Sequence, residues 1–272
     1  PLVGREREQS RLEALFAPQA NQPPIVLIEG PTGLGKSRLL MHTAALFRGR
    51  GGRFLSGNCQ EMKHALLGPL VPIAEEIASH KSIPTHLRPP LAQISPSIDL
   101  GDLERDPPLP PGEERIRIVD AIASALIEIA RHESVLIHIE DLHHAPPFAL
   151  GAVRLFLARI ASEGGPRIAV STYSADRLDT TTCSLLQSLE TQEKLERISL
   201  TPLDPTGVSQ QISGLLGMKK APNRFGKRVY EVTGGIPIFV SEIVRNMVRD
   251  EDLFFEEGSW LINAPDPSTM KL

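Results

Sequence analysis

The segment Gly30–Ser37 reads Gly-Pro-Thr-Gly-Leu-Gly-Lys-Ser and fits G-x-x-x-x-G-K-[ST], the pattern of a phosphate-binding loop. Glycines let the backbone curl so that successive N–H groups face one anion, and a helix that begins there adds the positive end of its dipole. Lys36 is expected to contact the β- and γ-phosphates, and Ser37 to bind Mg²⁺ through its hydroxyl. The alternative is a glycine-rich turn that carries an incidental lysine.

Two neighbouring acids, Glu140 and Asp141, directly follow the apolar run Val135–Ile139. An open parallel sheet binds its ligands beyond the carboxyl ends of its strands, where these side chains are expected. We predict that Glu140 holds Mg²⁺, directly or through water, and that Asp141 orients or deprotonates the attacking water. Lys36, Glu140 and Asp141 are thus the predicted catalytic residues, and Ser37 and Glu140 the predicted magnesium ligands. The alternative for the two acids is a solvated acidic turn.

Short apolar runs alternate with segments of helical period along the first 200 residues. The runs are 25–28, 53–56, 135–139, 167–172 and 195–200, and the helical segments between them are 36–47, 113–132, 147–161 and 182–190. This alternation predicts βαβ units and a parallel sheet. The predicted fold is an α/β three-layer sandwich with a central, mainly five-stranded parallel sheet.

Two regions interrupt this pattern. Residues 82–112 contain eight prolines, which predicts a long surface loop or insertion within a core domain at 1–200. Three further helices are predicted at 204–216, 222–232 and 237–248, and they indicate a small helical domain at 201–250. Residues 251–272 are expected to form a hairpin or the start of a further domain, such as a winged helix.

Several short motifs occur in an order typical of one family. They are Leu2–Glu6, Gly30–Ser37, Gly57–Cys59, Gly68–Leu70, Val135–Ala145 and Thr233–Pro237. With these motifs the chain resembles a STAND-type P-loop ATPase, a regulatory branch of the AAA+ group, over nearly its whole length. It is most similar to the ATPase module of large LuxR-type transcription activators and to ATPase domains fused to bacterial kinases and nucleotide cyclases.

This resemblance implies a P-loop NTPase core with a helical lid that binds ATP or ADP with Mg²⁺. In the family the opening segment lies against adenine, and the lid proline packs near the base, so that the lid can report the nucleotide state. The chain has no N-K-x-D or T-K-x-D run that would recognise guanine, so ATP is the expected nucleotide. The residues expected to contact it are Val3, Gly4, Arg5, Gly30, Pro31, Thr32, Gly33, Leu34, Gly35, Lys36, Ser37, Arg38 and Pro237.

The chain departs from the family pattern at three places. His144 and Pro146 stand where the family commonly has Trp and Asp, and Ile236 stands where Asn is common. Ser174 stands where the family usually has an arginine after the fourth strand. A charge-stabilising arginine contributes a factor of about 10³–10⁵ to the rate where it acts in the transition state. Its replacement argues against fast hydrolysis but not against nucleotide binding.

Composition excludes several classes of protein. The formal net charge is −4, which gives no global basic surface for nucleic acid, and no apolar stretch is long enough to span a membrane. Cys59 and Cys183 are too few and too far apart for a disulfide scaffold or a zinc cluster, so we expect both to be reduced and buried in a cytoplasmic protein. Because the chain starts at Pro1 without methionine, we expect it to be part of a longer protein.

The favoured hypothesis is an ATP-binding, slowly hydrolysing switch within a larger signalling or transcription-regulatory protein. Its expected partners are an adenine nucleotide, effector and sensor domains of the full-length chain, and other copies of itself in a nucleotide-dependent assembly. Nucleic acid would be contacted only through domains outside this chain. The alternatives are a catalytically weak nucleotide-binding scaffold, a P-loop kinase of a small substrate and a DNA-loading AAA+ module.

Three histidines lie close together in sequence: His138, His143 and His144. We interpret them as strand and loop residues, because adjacent residues seldom share one metal-ligand sphere. Since His138 lies within a predicted buried strand, it is expected to have a hydrogen-bond partner.

Overall fold

The computed structural model describes residues 2–16, 22–61, 67–78, 80–95, 98, 100–173, 177–218, 221, 223–256 and 259–262. The strands are β1 (Ile25–Glu29), β2 (Arg53–Asn58), β3 (Val135–Glu140), β4 (Arg167–Thr172), β5 (Leu195–Ser199), β6 (Leu253–Glu256) and β7 (Ser259–Ile262). The helices are α1 (Glu6–Leu15), α2 (Lys36–Gly49), α3 (Leu70–Ile77), α4 (Arg88–Leu91), α5 (Pro111–Ala130), α6 (Pro147–Glu163), α7 (Thr180–Thr191), α8 (Pro205–Leu216), α9 (Asn223–Thr233) and α10 (Pro237–Arg249).

Strands β1 to β5 form one parallel sheet in the order β2-β3-β4-β1-β5. Leu27 of β1 lies opposite Val170 of β4 on one side and Arg197 of β5 on the other. The first four residues of β1 are buried, as expected for a strand whose two faces are both covered. The predicted five-stranded parallel sheet is therefore confirmed, with every predicted strand present.

The chain divides into two compact units. The first contains the described residues within Pro1–Arg11, Gly30–Leu39 and Leu200–Leu272, and the second contains those within Leu12–Glu29 and Leu40–Ser199. The division keeps the phosphate-loop segment in the same unit as the C-terminal helices. The functional boundaries at residues 200 and 250 stay predictions.

The second unit holds the sheet and its largest core. Helices α5 and α6 pack against each other, and α3 packs on β2. Their apolar faces join the buried residues of the strands in one cluster, in which Phe156 of α6 is fully buried. The long apolar series of α5 explains why the helix could be predicted: eight of its residues are buried on one side.

In the first unit, helices α8, α9 and α10 pack on one another around a smaller core. Val208, Val229 and Val240 contribute one fully buried side chain from each helix. Strands β6 and β7 form an antiparallel hairpin, and Trp260 Nε1 of this hairpin donates a hydrogen bond to Leu216 O at 2.8 Å. Residues 263–272, part of the predicted hairpin or further domain, lie outside the described residues.

The predicted surface loop is wrong for the first part of 82–112, and the alternative of an insertion stays a prediction. Four aliphatic side chains of this segment are buried in the core of the second unit: Ile83, Leu87, Leu91 and Ile98. Its short helix α4 carries Pro89 and Pro90 in the first turn, where a backbone N–H is not needed. The prolines therefore mark helix starts here rather than an unpacked loop.

None of the helices in the described part of the chain is long and apolar enough to cross a lipid bilayer.

The close approach of β2 to the segment before α3 yields a test of the fold. A β-carbon at Gly57 would overlap the carbonyl group of Pro69. We expect Gly57→Ala to lower the free energy of unfolding in urea by about 1–3 kcal/mol, because overpacking forces backbone shifts. The control is Gly112→Ala near the start of α5, where a β-carbon meets nothing within 4 Å. This control should be neutral or stabilising by up to about 1 kcal/mol, and equal unfolding free energies for the two variants would contradict the packing.

Candidate functional site

The phosphate-loop segment, residues 30–37, connects β1 to α2, which begins at Lys36. Gly33 and Gly35 have φ angles of +90° and +91°, in a region that residues with a β-carbon rarely adopt. Leu39 N donates to Gly35 O at 2.9 Å in the first turn of α2. The loop thus curls directly into the N-terminal end of a helix, the arrangement that binds anions in other proteins.

Lys36 is 7% exposed, and its ammonium group lies inside the loop. Its Nζ donates to Gly30 O at 2.6 Å and to Pro31 O at 3.3 Å. Carbonyl and phosphate oxygens are both hydrogen-bond acceptors, so a triphosphate can replace the carbonyls as partners of the ammonium. Pro31 and Thr32 are exposed on the same loop, and so are Ser37 and Arg38 at the start of α2.

The start of α10 contacts the phosphate loop. Ile238 N donates to Gly33 O at 3.2 Å, and a β-carbon at Gly33 would overlap the Ile238 side chain. Pro237 precedes this contact as the first residue of α10. The phosphate loop is therefore in direct contact with the N-terminus of a C-terminal helix.

Arg5 of the opening segment is 5% exposed and ties this segment to the loop. Its Nη2 donates to Leu34 O at 3.2 Å and to Thr201 O at 2.5 Å, and its Nη1 pairs with Glu8 at 3.0 Å. Gly4 has a φ of +68° and packs so closely on Leu203 that a β-carbon would lie 2.9 Å from Leu203 Cδ2.

One pocket of the first unit brings together residues from three distant parts of the chain. Its lining residues are Leu2, Val3, Arg5, Leu34, Gly35, Arg38, Leu203, Gln211, Gly214, Leu215 and Pro237. Six of these lining residues are among those expected to contact the nucleotide: Val3, Arg5, Leu34, Gly35, Arg38 and Pro237. The aliphatic side chains of this lining suit a flat, poorly hydrated ring, and its arginines suit an anionic group.

Glu140 and Asp141 lie at the carboxyl end of β3 in the second unit. Glu140 Oε2 accepts a hydrogen bond from Asn58 Nδ2 at 3.2 Å. Asp141 has a left-handed backbone with φ 53° and ψ 49°, and its N–H donates to Ser171 Oγ at 3.3 Å. Aspartate tolerates this conformation better than most residues with a β-carbon, although it still costs energy.

Residues 1–197 match the AAA ATPase domain family, which is well over half of the chain. The chain belongs to this family. A curated relative, an uncharacterised protein of Rhizobium meliloti (strain 1021), is 23% identical over 303 residues. The match covers the whole of this chain and 26% of the relative, so this chain spans about a quarter of that protein's length.

Three solved structures are similar to the AAA ATPase domain. The Walker-type ATPase of Pyrococcus abyssi has a TM-score of 0.55 at 16% identity, over 92% of this chain and 69% of that one. Cdc6p from Pyrobaculum aerophilum has a TM-score of 0.54 at 15% identity, over 91% and 62% of the two chains. AMPPCP-bound DnaA from Aquifex aeolicus has a TM-score of 0.53 at 12% identity, over 90% and 61%. The predicted α/β P-loop ATPase fold is thereby confirmed.

His138 of this AAA ATPase domain has the hydrogen-bond partner that its burial requires. The imidazole is 3% exposed, and Nε2 lies 3.1 Å from Ser171 Oγ. Burial lowers the pKa of His138 to about 4, although the neighbouring carboxylates of Glu140 and Asp141 oppose the shift. The ring is therefore neutral at physiological pH. Through Ser171 it is connected to the backbone of Asp141.

Cys59 and Cys183 are not joined in a disulfide. Cys59 is fully buried, whereas Cys183 is partly exposed, which differs from the expected pair of buried side chains. Burial raises the pKa of the Cys59 thiol to about 12, and the carboxylates of Asp141 and Glu140 add to this effect. The thiol is therefore protonated and poorly nucleophilic at neutral pH.

His143 and His144 contact each other and the residue that follows β4. Tyr173 N donates to His143 Nδ1 at 3.1 Å, and the rings of His143 and His144 are 4.1 Å apart. Within the described ranges, no three His, Cys, Asp or Glu residues are grouped in a way that could hold a metal ion. Ser174, the position of the missing arginine, lies outside the described residues.

Ser37 and Glu140 supply a hydroxyl and a carboxylate, which are oxygen ligands of the kind that Mg²⁺ prefers. A carboxylate has several lone-pair sites, and Glu140 Oε2 accepts the hydrogen bond from Asn58. The donor set therefore fits the expected cation in its chemistry.

The sequence reasoning missed the contribution of α8 to the pocket. Gln211, Gly214 and Leu215 of this helix line the pocket and are spaced three and four residues apart, so they share one face. It also missed Ser171, although a hydroxyl at the end of a predicted strand was a visible signal. A polar residue within an apolar helical stripe was the corresponding signal for Gln211.

The lowered pKa of His138 leads to a pH-dependent stability. The unfolded chain binds a proton at about pH 6.5 and the folded one only near pH 4, so folding loses stability as the pH falls through this window. Between pH 7 and 5, we expect wild type to lose about 2 kcal/mol more unfolding free energy than His138→Gln, which cannot ionise. Urea unfolding measures this difference, and NMR titration of the ring gives its pKa. A ring pKa near 6.5 in the folded protein would contradict the burial.

Proposed function

We propose that this AAA ATPase domain is a STAND-type regulatory switch that binds ATP and hydrolyses it slowly within a larger protein. The observation that carries the proposal is the pocket shared by the opening segment, the phosphate loop and the C-terminal helices. A nucleotide bound there touches all three segments at once. Its presence and the state of its phosphates can therefore change how the helices pack and control an attached effector.

The roles of the residues follow from their chemistry. The aliphatic residues of the pocket bind the base, and the loop backbone with Lys36 binds the phosphates. Ser37 and Glu140 hold Mg²⁺, which when bound neutralises charge on the phosphate oxygens. The carboxylate of Asp141 orients the attacking water and accepts its proton. The left-handed backbone of Asp141, bonded to Ser171 Oγ, restricts where that carboxylate can lie.

The larger context rests on three supports. The chain spans 26% of the curated relative it matches, which leaves room in such a protein for sensor and effector domains. DnaA, a structural neighbour, is solved with AMPPCP, which supports an adenine nucleotide as the ligand. The reduced thiols of Cys59 and Cys183 support a cytoplasmic location. Nucleotide-dependent self-association and contact with nucleic acid through other domains belong to this proposal.

Slow turnover is proposed because Ser174 stands where the family has an arginine. This substitution also favours a second candidate, a scaffold that binds nucleotide without hydrolysing it. Both candidates bind nucleotide in the same pocket, and they differ in whether Asp141 takes part in hydrolysis.

Binding is tested first, by thermal denaturation with ATP and Mg²⁺. At about 100 times the Kd the ligand adds roughly 2.7 kcal/mol, which raises the Tm by about 5–10 °C for a chain of this size. We expect Lys36→Ala to abolish this rise because the phosphates lose their buried ammonium partner. The control Lys194→Ala removes an exposed lysine and should keep the rise. An undiminished rise in Lys36→Ala would contradict the phosphate-loop assignment.

Hydrolysis is tested by phosphate release from wild type and Asp141→Asn. Asparagine has the same shape and also tolerates a left-handed backbone, so the variant removes only the base. We expect slow release from wild type and a decrease of about 10²-fold or more in the variant. Asp102→Asn, at an exposed position, is the matched control and should behave as wild type. No release from either protein, with the Tm rise intact, would favour the scaffold.

A further inference from the structure

Gln211 occupies an unusual position on α8. It is 6% exposed, and it lines the pocket together with Gly214 and Leu215 of the same helix. The aliphatic neighbours across this lining include Val3 and Leu34. An amide is therefore placed among the apolar side chains that we propose bind the base.

The orientation of this amide is determined by its neighbours. Gln211 Nε2 donates to Pro237 O at 2.7 Å and to Ser241 Oγ at 2.8 Å. A carbonyl oxygen can only accept, so the nitrogen of the amide must face Pro237. Ser241 Oγ in turn donates to Pro237 O at 3.1 Å, which leaves it free to accept from the amide. The network therefore uses both amide protons of Gln211.

The amide oxygen is in the opposite situation. Gln211 Oε1 is shielded from solvent and has no hydrogen-bond donor among the residues that the structure describes. Buried polar atoms in native proteins nearly always have a partner, and an unpartnered one costs stability. An acceptor that is fixed in orientation and lacks a donor, in a residue that lines a ligand pocket, indicates that a ligand supplies the donor.

We propose that Gln211 Oε1 accepts a hydrogen bond from the exocyclic amine of adenine, and that Gln211 thereby selects adenine over other purine nucleotides. Adenine carries an N–H donor at position 6, whereas guanine and hypoxanthine carry a carbonyl acceptor there. A carbonyl next to Oε1 leaves two acceptors facing each other with no proton between them. This assignment rests on the proposed function, because it needs the base in this pocket.

The base preference of wild type is the first measurement, and it requires no variant. Dissociation constants are measured with Mg²⁺ for ATP, inosine triphosphate and purine riboside triphosphate, which lacks the 6-amino group. We expect ATP to bind about 10- to 100-fold more tightly than either analogue, the range for one buried polar atom losing its partner. Equal affinities for the three ligands would overturn the proposal.

The second measurement assigns the preference to one residue. Gln211→Met keeps the length of the side chain but replaces the amide oxygen with a methyl group and leaves only a weakly accepting sulfur, so ATP should bind about 10-fold or more weakly while the analogues change little. Gln210→Met makes the same substitution at the next position of α8, where the side chain is exposed, and should keep the wild-type preference. A Gln211→Met protein that prefers ATP as strongly as wild type would refute the role of Gln211.

The outcomes separate this inference from the proposed function. If Gln211 plays no part in base selection, wild type still binds ATP, and Lys36→Ala still fails to bind it. If the pocket does not bind nucleotide, none of the three triphosphates raises the Tm of wild type, and the proposed function fails together with the base preference.

Discussion

The hydrogen bonds from the Lys36 ammonium to the carbonyl oxygens of Gly30 and Pro31 are the interaction on which the candidate site depends. A nearly buried ammonium is costly unless oxygen atoms accept its protons. The loop must therefore curl around it, and the left-handed backbone at Gly33 and Gly35 makes that curl possible. The curled loop supplies the acceptors that the buried ammonium of Lys36 requires. Phosphate oxygens are acceptors of the same kind, so they can replace these carbonyl oxygens.

A second constraint is the burial of His138 and Cys59 around the end of β3. Burial keeps the imidazole of His138 deprotonated and the thiol of Cys59 protonated, so both side chains are neutral beside two carboxyl groups. Because the ring is neutral, the side chain that contacts Ser171 Oγ carries no charge that would attract the carboxylate of Asp141. His138 and Cys59 therefore add no charge next to Glu140 and Asp141, the residues to which we assign the magnesium and the attacking water.

Elements with a strong local signal could be predicted from the sequence. The central strand β1 and the long helix α5 are apolar in continuous or helical patterns that few other structures satisfy, and both lie where expected. The phosphate loop carries its own conformational signature in its glycines. Where local signals mislead, as at Pro89 and Pro90, packing of the flanking aliphatic residues decided the structure.

The features that were not predicted depend on contacts between residues that are far apart in the sequence. Gln211 is one of two adjacent glutamines on α8, and its place in the pocket depends on how this helix packs against the opening segment and α10. Ser171 meets His138 because β3 and β4 are neighbours in register, with His138 opposite Ala169. Strand order in a sheet is set by the whole fold rather than by either segment.

The hydrogen bond from Arg5 to Thr201 joins positions that are 196 residues apart. During synthesis at about 5–20 residues per second, Arg5 is incorporated roughly 10–40 s before Thr201, which carries its carbonyl partner. The nascent chain therefore cannot complete the pocket until Pro237 of α10 has been translated. The proposed nucleotide can therefore bind only after α8 and the start of α10, which line the pocket, have been made.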